Sequence, residues 1–334
     1  MSEQMFYGHG KLLLTGEYFI LDGAKAIALP TKLGQRMRVK YRPTNKPILF
    51  WKSFDVEGNC WFEAQFELWH FNCLSENSDQ QEVIILQKIL RQARKQNIHF
   101  LRDELDVHVE TSLEFPLSWG LGSSSTLIYN ISQWAYVSPY ELLQKTFGGS
   151  GYDIACAQSM GPISYQLKTN GPHWETLNFN PYFKNQLYFV HLNKKQNSRE
   201  AINFYYQQAD VDKTLIIKQL NDVFFKLQSA QALKEFEYAL FEHENIITQA
   251  LKMKRAYDLY FSDYWGAIKS LGAWGGDFVL ATSDKSPEQT KEYFYNRGYR
   301  TVISFEELVL QNFEKLGELN NFVVQEAVDA TTNL

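Results

Sequence analysis

The stretch Pro116-Leu-Ser-Trp-Gly-Leu-Gly-Ser-Ser-Ser-Thr126 constrains this chain more than any other. Before it, Leu105-Asp-Val-His-Val-Glu110 alternates, with Leu105, Val107 and Val109 on one face, as a half-buried strand does. After it, Leu127, Ile128, Ile131 and Trp134 recur at helical spacing. The order is strand, glycine–serine loop, helix start. Such a loop points several backbone N–H groups at one place, and the helix N-terminus adds partial positive charge, which makes an anion site suited to phosphate. Gly120 and Gly122 allow close backbone approach, while Ser123, Ser124 and Ser125 offer hydroxyls to phosphate oxygens or a metal. Taken alone, the same residues are ordinary helix-capping chemistry. No Gly-Lys-Ser/Thr follows, so this is not a Walker loop, and the dinucleotide Gly-x-Gly-x-x-Gly spelling is absent.

Three more stretches narrow the choice. They are Gly10-Lys-Leu-Leu-Leu-Thr-Gly-Glu-Tyr18, Gly149-Ser-Gly-Tyr-Asp-Ile-Ala155 and Lys269-Ser-Leu-Gly-Ala-Trp-Gly-Gly-Asp277. With the first stretch they stand in the order of the motifs of the GHMP kinases (galactokinase, homoserine kinase, mevalonate kinase and phosphomevalonate kinase), which this chain resembles over most of its length. The Gly-Ser-Gly-Tyr-Asp and Gly-Gly-Asp spellings are similar to the mevalonate and phosphomevalonate kinase branch.

Composition bounds the partners. The chain has 334 residues, 45% hydrophobic and 21% charged, enough for two domains with substantial cores. The 24 Phe, 19 Tyr and 8 Trp read as core filling. A net charge of −5 without a basic block argues against nucleic acid. Cys60, Cys73 and Cys156 are odd in number and lack metal-ligand spacing, so free thiols and a cytoplasmic setting are expected. Neither a signal peptide nor a membrane-spanning apolar run is legible. The expected partner is a small-molecule substrate of a monomer or homodimer, with no nucleic acid and no membrane.

The periodicities predict an α+β fold. Strands are expected over 5–30 in two pieces around glycine turns, then at Gln35–Tyr41, Ile48–Lys52, Cys60–Leu68, Ile163–Leu167 and His173–Leu177. Helices are expected at Gln80–Asn97 and from Ser138, where Ser-Pro-Tyr-Glu supplies a cap, Pro at N1 and Glu at N3. Near 183–186 the pattern changes to a strand at Gln186–Leu192 and long helices over 198–208, 213–228 and 233–252. A strand at Phe278–Thr282, a helix at Ser286–Arg297 and a strand at Thr301–Phe305 follow. The domains are thus set at 1–183 and 184–334. The resemblance implies a two-domain GHMP kinase fold: a first domain like domain 2 of ribosomal protein S5, and a second like a ferredoxin α/β sandwich.

The resemblance also assigns roles. It implies ATP and Mg²⁺ as cofactors, with Gly120, Leu121, Gly122, Ser123, Ser124 and Ser125 binding ATP phosphates and Ser124 ligating Mg²⁺. Asp153 matches the aspartate that takes or orients the acceptor proton, and Lys11 matches the first-motif lysine. Glu17 and Tyr18 match positions near the acceptor, although Glu17 is equally placed to hold Lys11. His9 stands where relatives commonly have proline, and is either a substrate contact or a local variation. Lys194 and Ser198 occupy a loop facing substrate, as do Gly272, Ala273, Trp274 and Gly275. Three departures stand out: Leu271 replaces a threonine, Trp274 replaces a glycine, and the interval from Ser124 to Asp153 is short. Relatives carry a metal-binding Glu in that interval, and here only Glu141, or less well Gln144, is available. Without an aligned carboxylate, a nucleotide or metabolite sensor stays open beside a kinase. A diphosphomevalonate decarboxylase-like reaction is the third reading, against which Lys11 argues.

Overall fold

The computed structural model describes residues 3–44, 47–102, 105–196, 198–208 and 212–311. In chain order the strands are β1 (Glu3–Leu13), β2 (Ala26–Pro43), β3 (Ile48–Phe54), β4 (Cys60–Glu67), β5 (Leu105–Leu113), β6 (Ile163–Lys168), β7 (Gly171–Thr176), β8 (Leu187–His191), β9 (Ile268–Ser270), β10 (Phe278–Thr282) and β11 (Val302–Ser304). The helices are α1 (Gln81–Gln96), α2 (Ser123–Ala135), α3 (Pro139–Thr146), α4 (Tyr152–Gln158), α5 (Ser198–Tyr206), α6 (Lys213–Ser229), α7 (Leu233–Leu251), α8 (Ala256–Tyr260), α9 (Pro287–Tyr295) and α10 (Phe305–Leu308).

The first sheet runs β4-β3-β5-β2-β6-β7, with β1 also paired to β2. It is mixed, because β3 and β5 run parallel while the other pairs are antiparallel. The 18-residue β2 is its spine and joins the expected strands on either side of Gly34 into one. Its far half pairs with β5 and its near half with β6. The β1–β2 register slips between His9 and Lys11, at Gly10, where a Cβ would lie 2.4 Å from the Thr31 hydroxyl. A bulge of this kind re-aims the residues beside it. Trp51, Phe66, Val83, Ile89, Ile128 and Ile131 form the core between this sheet and α1–α3.

The second sheet is antiparallel in the order β11-β8-β10-β9. With helices inserted between β8 and β9 and between β10 and β11, this is the split βαβ arrangement. The expected boundary at 183–184 lies between the two sheets, at the short 3₁₀ turn Lys184–Gln186. The last described residues return to the first sheet, where Leu310 donates its N–H to Pro30 at 2.9 Å. The part of the second domain expected beyond residue 311 lies outside the described residues.

One apolar core crosses from the first sheet to the second. It contains Leu12, Leu14 and Ile27, then Phe189, Phe224, Phe236, Leu240, Phe278 and Phe305. Beside it lies a buried charge cluster. Glu17, from the turn after β1, pairs with Lys269 of β9 and stands 3.2 Å from His243 Nε2. Lys269 is also 3.5 Å from Glu244, and all four side chains are buried. The Gly16 N–H donates to His243 Nε2 at 3.1 Å. Burial, with Lys269 second, holds His243 well below the usual imidazole range, so it is neutral. Two carboxylates against one ammonium leave excess negative charge, and burial raises both Glu17 and Glu244 to about 7.

Between the ordinary carboxyl value of 4.5 and about 7 the folded chain binds more protons here than the unfolded one. Stability from this cluster therefore falls as pH rises through that window and levels off above it. Glu244→Gln leaves a balanced Glu17–Lys269 pair, so the fall in melting temperature from pH 5 to 7.5 should flatten. An unchanged slope would exclude Glu244 as its source. Lys269→Met, which strands two buried carboxylates, should cost about 3–5 kcal/mol in denaturant unfolding at neutral pH.

Candidate active site

The glycine loop is built from the backbone upward. Gly120 and Gly122 both take left-handed conformations, at φ 66° and 93°. Leu121 between them is fully buried in the junction core. Its carbonyl accepts the Lys11 N–H at 2.9 Å, so Leu121 anchors the loop by side chain and backbone together. Gly122 is the N-cap of α2, and among the described residues no side chain caps this end. The first N–H groups of α2 and the positive end of its dipole are thus open to an anion. Ser123 is half-buried, Ser124 is exposed, and Ser125 is buried.

Ser125 donates its hydroxyl to Asp153 Oδ2. Asp153 stands in the first turn of α4, whose N-cap Gly151 is left-handed at φ 88°. Asp153 Oδ1 also accepts the Ile154 N–H at 3.2 Å. Lys11 reaches the same place from β1 and donates to the Gly120 carbonyl at 2.9 Å. Its ammonium lies 5.7 Å from the Tyr152 ring centroid. Burial alone lowers the lysine pKa, but Tyr152, Asp277 and Asp153 outweigh it and raise Lys11. Burial pushes the Tyr152 phenol up to about 12, so it stays protonated beside Lys11.

The structure therefore gathers Lys11, Asp153 and the loop, as the motif order implied, and adds two residues to them. Tyr152 and Asp277 both lie inside the motif stretches, where the resemblance gives them no role. Asp277 lies so close to Gly120 that a Cβ there would stand 2.3 Å from its Cγ.

The remaining expected site residues differ in their surroundings. Glu17 is turned inward to Lys269, and does not hold Lys11. Tyr18, at φ 64°, accepts the Trp274 N–H at 3.2 Å. Trp274 is buried with Tyr18, Phe19, Tyr205 and Ile247, so its ring packs within a core cluster. Leu271, where the resemblance implied a threonine, enters the junction core. His9 is buried, with its ring on Tyr7 and Nδ1 donating to the Thr31 carbonyl at 3.0 Å. Gly272 has open space where a Cβ would point, Ala273 is half-buried, and Gly275 abuts Gln196. Lys194 is exposed, its ammonium 5.6 Å from the Tyr260 ring centroid, and Ser198 opens α5.

Glu141 is not joined to the loop by any described contact. It is the third residue of α3, exposed, with its N–H on the Ser138 cap. Among the described residues nothing ties the Glu141 carboxylate to Ser124, although the neighbouring Tyr140 ring would stand 3.1 Å from a Cβ on Gly151. Gln144 is tied to the Gly149 carbonyl at 2.8 Å. Among the described residues no group of three or more His, Cys, Asp or Glu gathers to hold a metal. The exposed Ser124 hydroxyl on an open helix end still fits a magnesium carried by a triphosphate, since Mg²⁺ takes few protein ligands.

His243 and Glu244 lie outside the motif stretches, and Lys269 opens the last of them without a role there. A signal existed: on α7 the buried stripe runs Phe236, Ala239, Leu240, His243, Glu244 and Ile247, so a charged pair occupies apolar positions.

No protein-family model matches the sequence, and no curated protein matches it. Solved structures do match. Methanococcus jannaschii mevalonate kinase is 16% identical with a TM-score of 0.69, covering 93% of this chain and 99% of that one. L. major mevalonate kinase in complex with R-mevalonate is 15% identical with a TM-score of 0.67, over 92% and 96%. Streptococcus pneumoniae phosphomevalonate kinase in complex with phosphomevalonate and AMPPNP is 14% identical with a TM-score of 0.65, over 90% and 99%. The chain has the GHMP kinase fold. In this GHMP kinase fold the glycine loop, Lys11 and Asp153 come from the first sheet and its helices, while the Gly272–Asp277 loop comes from the second.

Gly122 tests the loop directly. A Cβ there would sit 3.1 Å from Lys11 Cγ and 3.3 Å from Cε, in a left-handed backbone. Gly122→Ala should weaken ATP binding about tenfold or more by calorimetry, because strain and displacement of Lys11 act together. Gly58→Ala, left-handed but facing open space, is the control and should leave ATP affinity unchanged.

Proposed function

We propose that this chain is a small-molecule kinase that transfers the γ-phosphoryl group of ATP to an alcohol or phosphate acceptor, mevalonate- or phosphomevalonate-like. The observation that carries this reading is the meeting of Asp153 and Lys11 beside the open N-terminus of α2. The fold match supports it, and one matched structure holds an ATP analogue together with phosphomevalonate.

The loop N–H groups and the dipole of α2 hold the triphosphate. Ser124 would hold magnesium, which when bound neutralises charge on the phosphates. Asp153, oriented by the Ser125 hydroxyl and the Ile154 N–H, accepts or aligns the acceptor proton. Lys11, kept protonated by its neighbours, meets the charge that builds on the transferring group. The acceptor enters beside Gly272, where the backbone faces open space. A sensor that binds nucleotide without turnover is the competing reading, and an ADP-release screen with mevalonate, phosphomevalonate, homoserine and sugars separates the two. ATP binding with no ADP release above the acceptor-free rate would favour the sensor.

Asp153→Asn should lower kcat by about 10²–10⁴ with ATP affinity little changed. Lys11→Met should also lower kcat, and if the pair acts as one unit the double variant should be barely worse than the poorer single. Near-wild-type turnover in Asp153→Asn would remove the aspartate from proton transfer.

A further inference from the structure

The mechanism above leaves Asp277 unused, yet its environment is built with care on every side. Its backbone is left-handed at φ 51°, which few residues other than glycine adopt. Its N–H donates to the Lys194 carbonyl at 2.7 Å, and its own carbonyl accepts the Leu192 N–H at 2.8 Å. Both bonds pin it to the chain leaving β8. Asp277 Oδ1 accepts the Gln196 N–H at 3.1 Å. The carboxylate then covers Gly120 so closely that a Cβ there would meet Cγ and both oxygens at 2.3–2.5 Å.

The two residues before Gly120 are held by the same strands. His191 of β8 donates from Nε2 to the Ser118 carbonyl at 3.1 Å. Trp119 packs edge-on to Phe278 of β10, with ring centroids 5.6 Å apart. Ser118, Trp119 and Gly120 are thus gripped one after another by the second sheet. The Gly120 carbonyl, on the same residue, is where Lys11 donates.

We propose that Asp277 is a positioning residue, through which the second sheet holds the Gly120 edge of the loop and the Lys11 ammonium in one arrangement. Its role in turnover rests on the kinase reading, but its hold on Lys11 does not. Lys11 faces Tyr152, Asp153 and Cys156 of α4 as well as Asp277. Asp277 in turn faces His191 and Lys195. Burial raises the Asp277 carboxyl while Lys11 pulls it back, and Asp277 raises Lys11, so the coupling is reciprocal.

Asp277→Asn keeps the shape and the bond from Gln196 and removes only charge. Asp277→Gly removes the contact and suits the left-handed backbone, so it should fold. The full chain is labelled with acetic anhydride across pH, and Lys11 acetylation is read by peptide mass spectrometry. The Lys11 midpoint should fall by about one unit in Asp277→Asn, because a neighbouring negative charge is lost. An unchanged midpoint overturns the proposal, and this holds even if the wild-type chain phosphorylates no acceptor tried. Where turnover is found, kcat in Asp277→Asn should fall about 10²-fold with KM for ATP nearly constant. A raised KM at constant kcat would overturn the positioning role. The contact has its own test. Gly120→Ala should weaken ATP binding about tenfold more beside Asp277 than in the Asp277→Gly background. Equal losses in both backgrounds would refute it.

Discussion

Lys11 is stitched to the glycine loop twice, by its backbone N–H to Leu121 and by its ammonium to Gly120. This tie makes a strand residue and a loop more than 100 positions later into one site. It requires the β-bulge at Gly10, which brings the strand against Thr31, Leu33 and Leu121 with no room for a side chain. It also requires Leu121 to be buried, since an exposed leucine would leave the loop free to lift. Gly122 is left small because the lysine stem lies across it. The anion site is therefore a property of packing as much as of glycine content.

The second sheet contributes through contacts that differ in kind. The shared apolar core from Leu12 to Phe305 supplies non-directional attraction. The cluster of Glu17, Lys269, Glu244 and His243 supplies direction, since a buried ammonium tolerates few placements. Glu17 and Tyr18 adjoin in sequence, and their side chains contact Lys269 and Trp274 respectively. The turn after β1 is in this way locked to the Gly272–Asp277 loop from below. A substitution of Trp274 acts on this lock first, because its ring is buried among Tyr18, Phe19 and Ile247.

Much of this was legible in the sequence. The period-2 run at 105–110, the apolar spacing after Ser123 and the Ser138-Pro-Tyr-Glu141 start all became the expected elements, because each is decided by local geometry. The strand at Phe278–Thr282 agreed residue for residue, since a short apolar run between a glycine loop and the polar Ser283-Asp-Lys-Ser-Pro287 turn has one place to go. Motif order brought Lys11 and Asp153 to the loop on paper before the chain was folded.

Tertiary structure decided the rest. Whether Glu17 faced Lys11 or the interior depended on Lys269, 252 residues away, and no local pattern encodes that distance. Glu141 has the chemistry of a metal ligand, but among the described residues nothing ties its exposed carboxylate to Ser124, which spacing alone does not reveal. Asp277 looked like the end of a glycine motif until the second sheet laid its carboxylate on Gly120. Local sequence determines which segments become strands, helices and tight turns, because those choices turn on neighbours a few residues apart. Which charge meets which is determined by the fold, because burial removes the water that would otherwise let every charge stand alone.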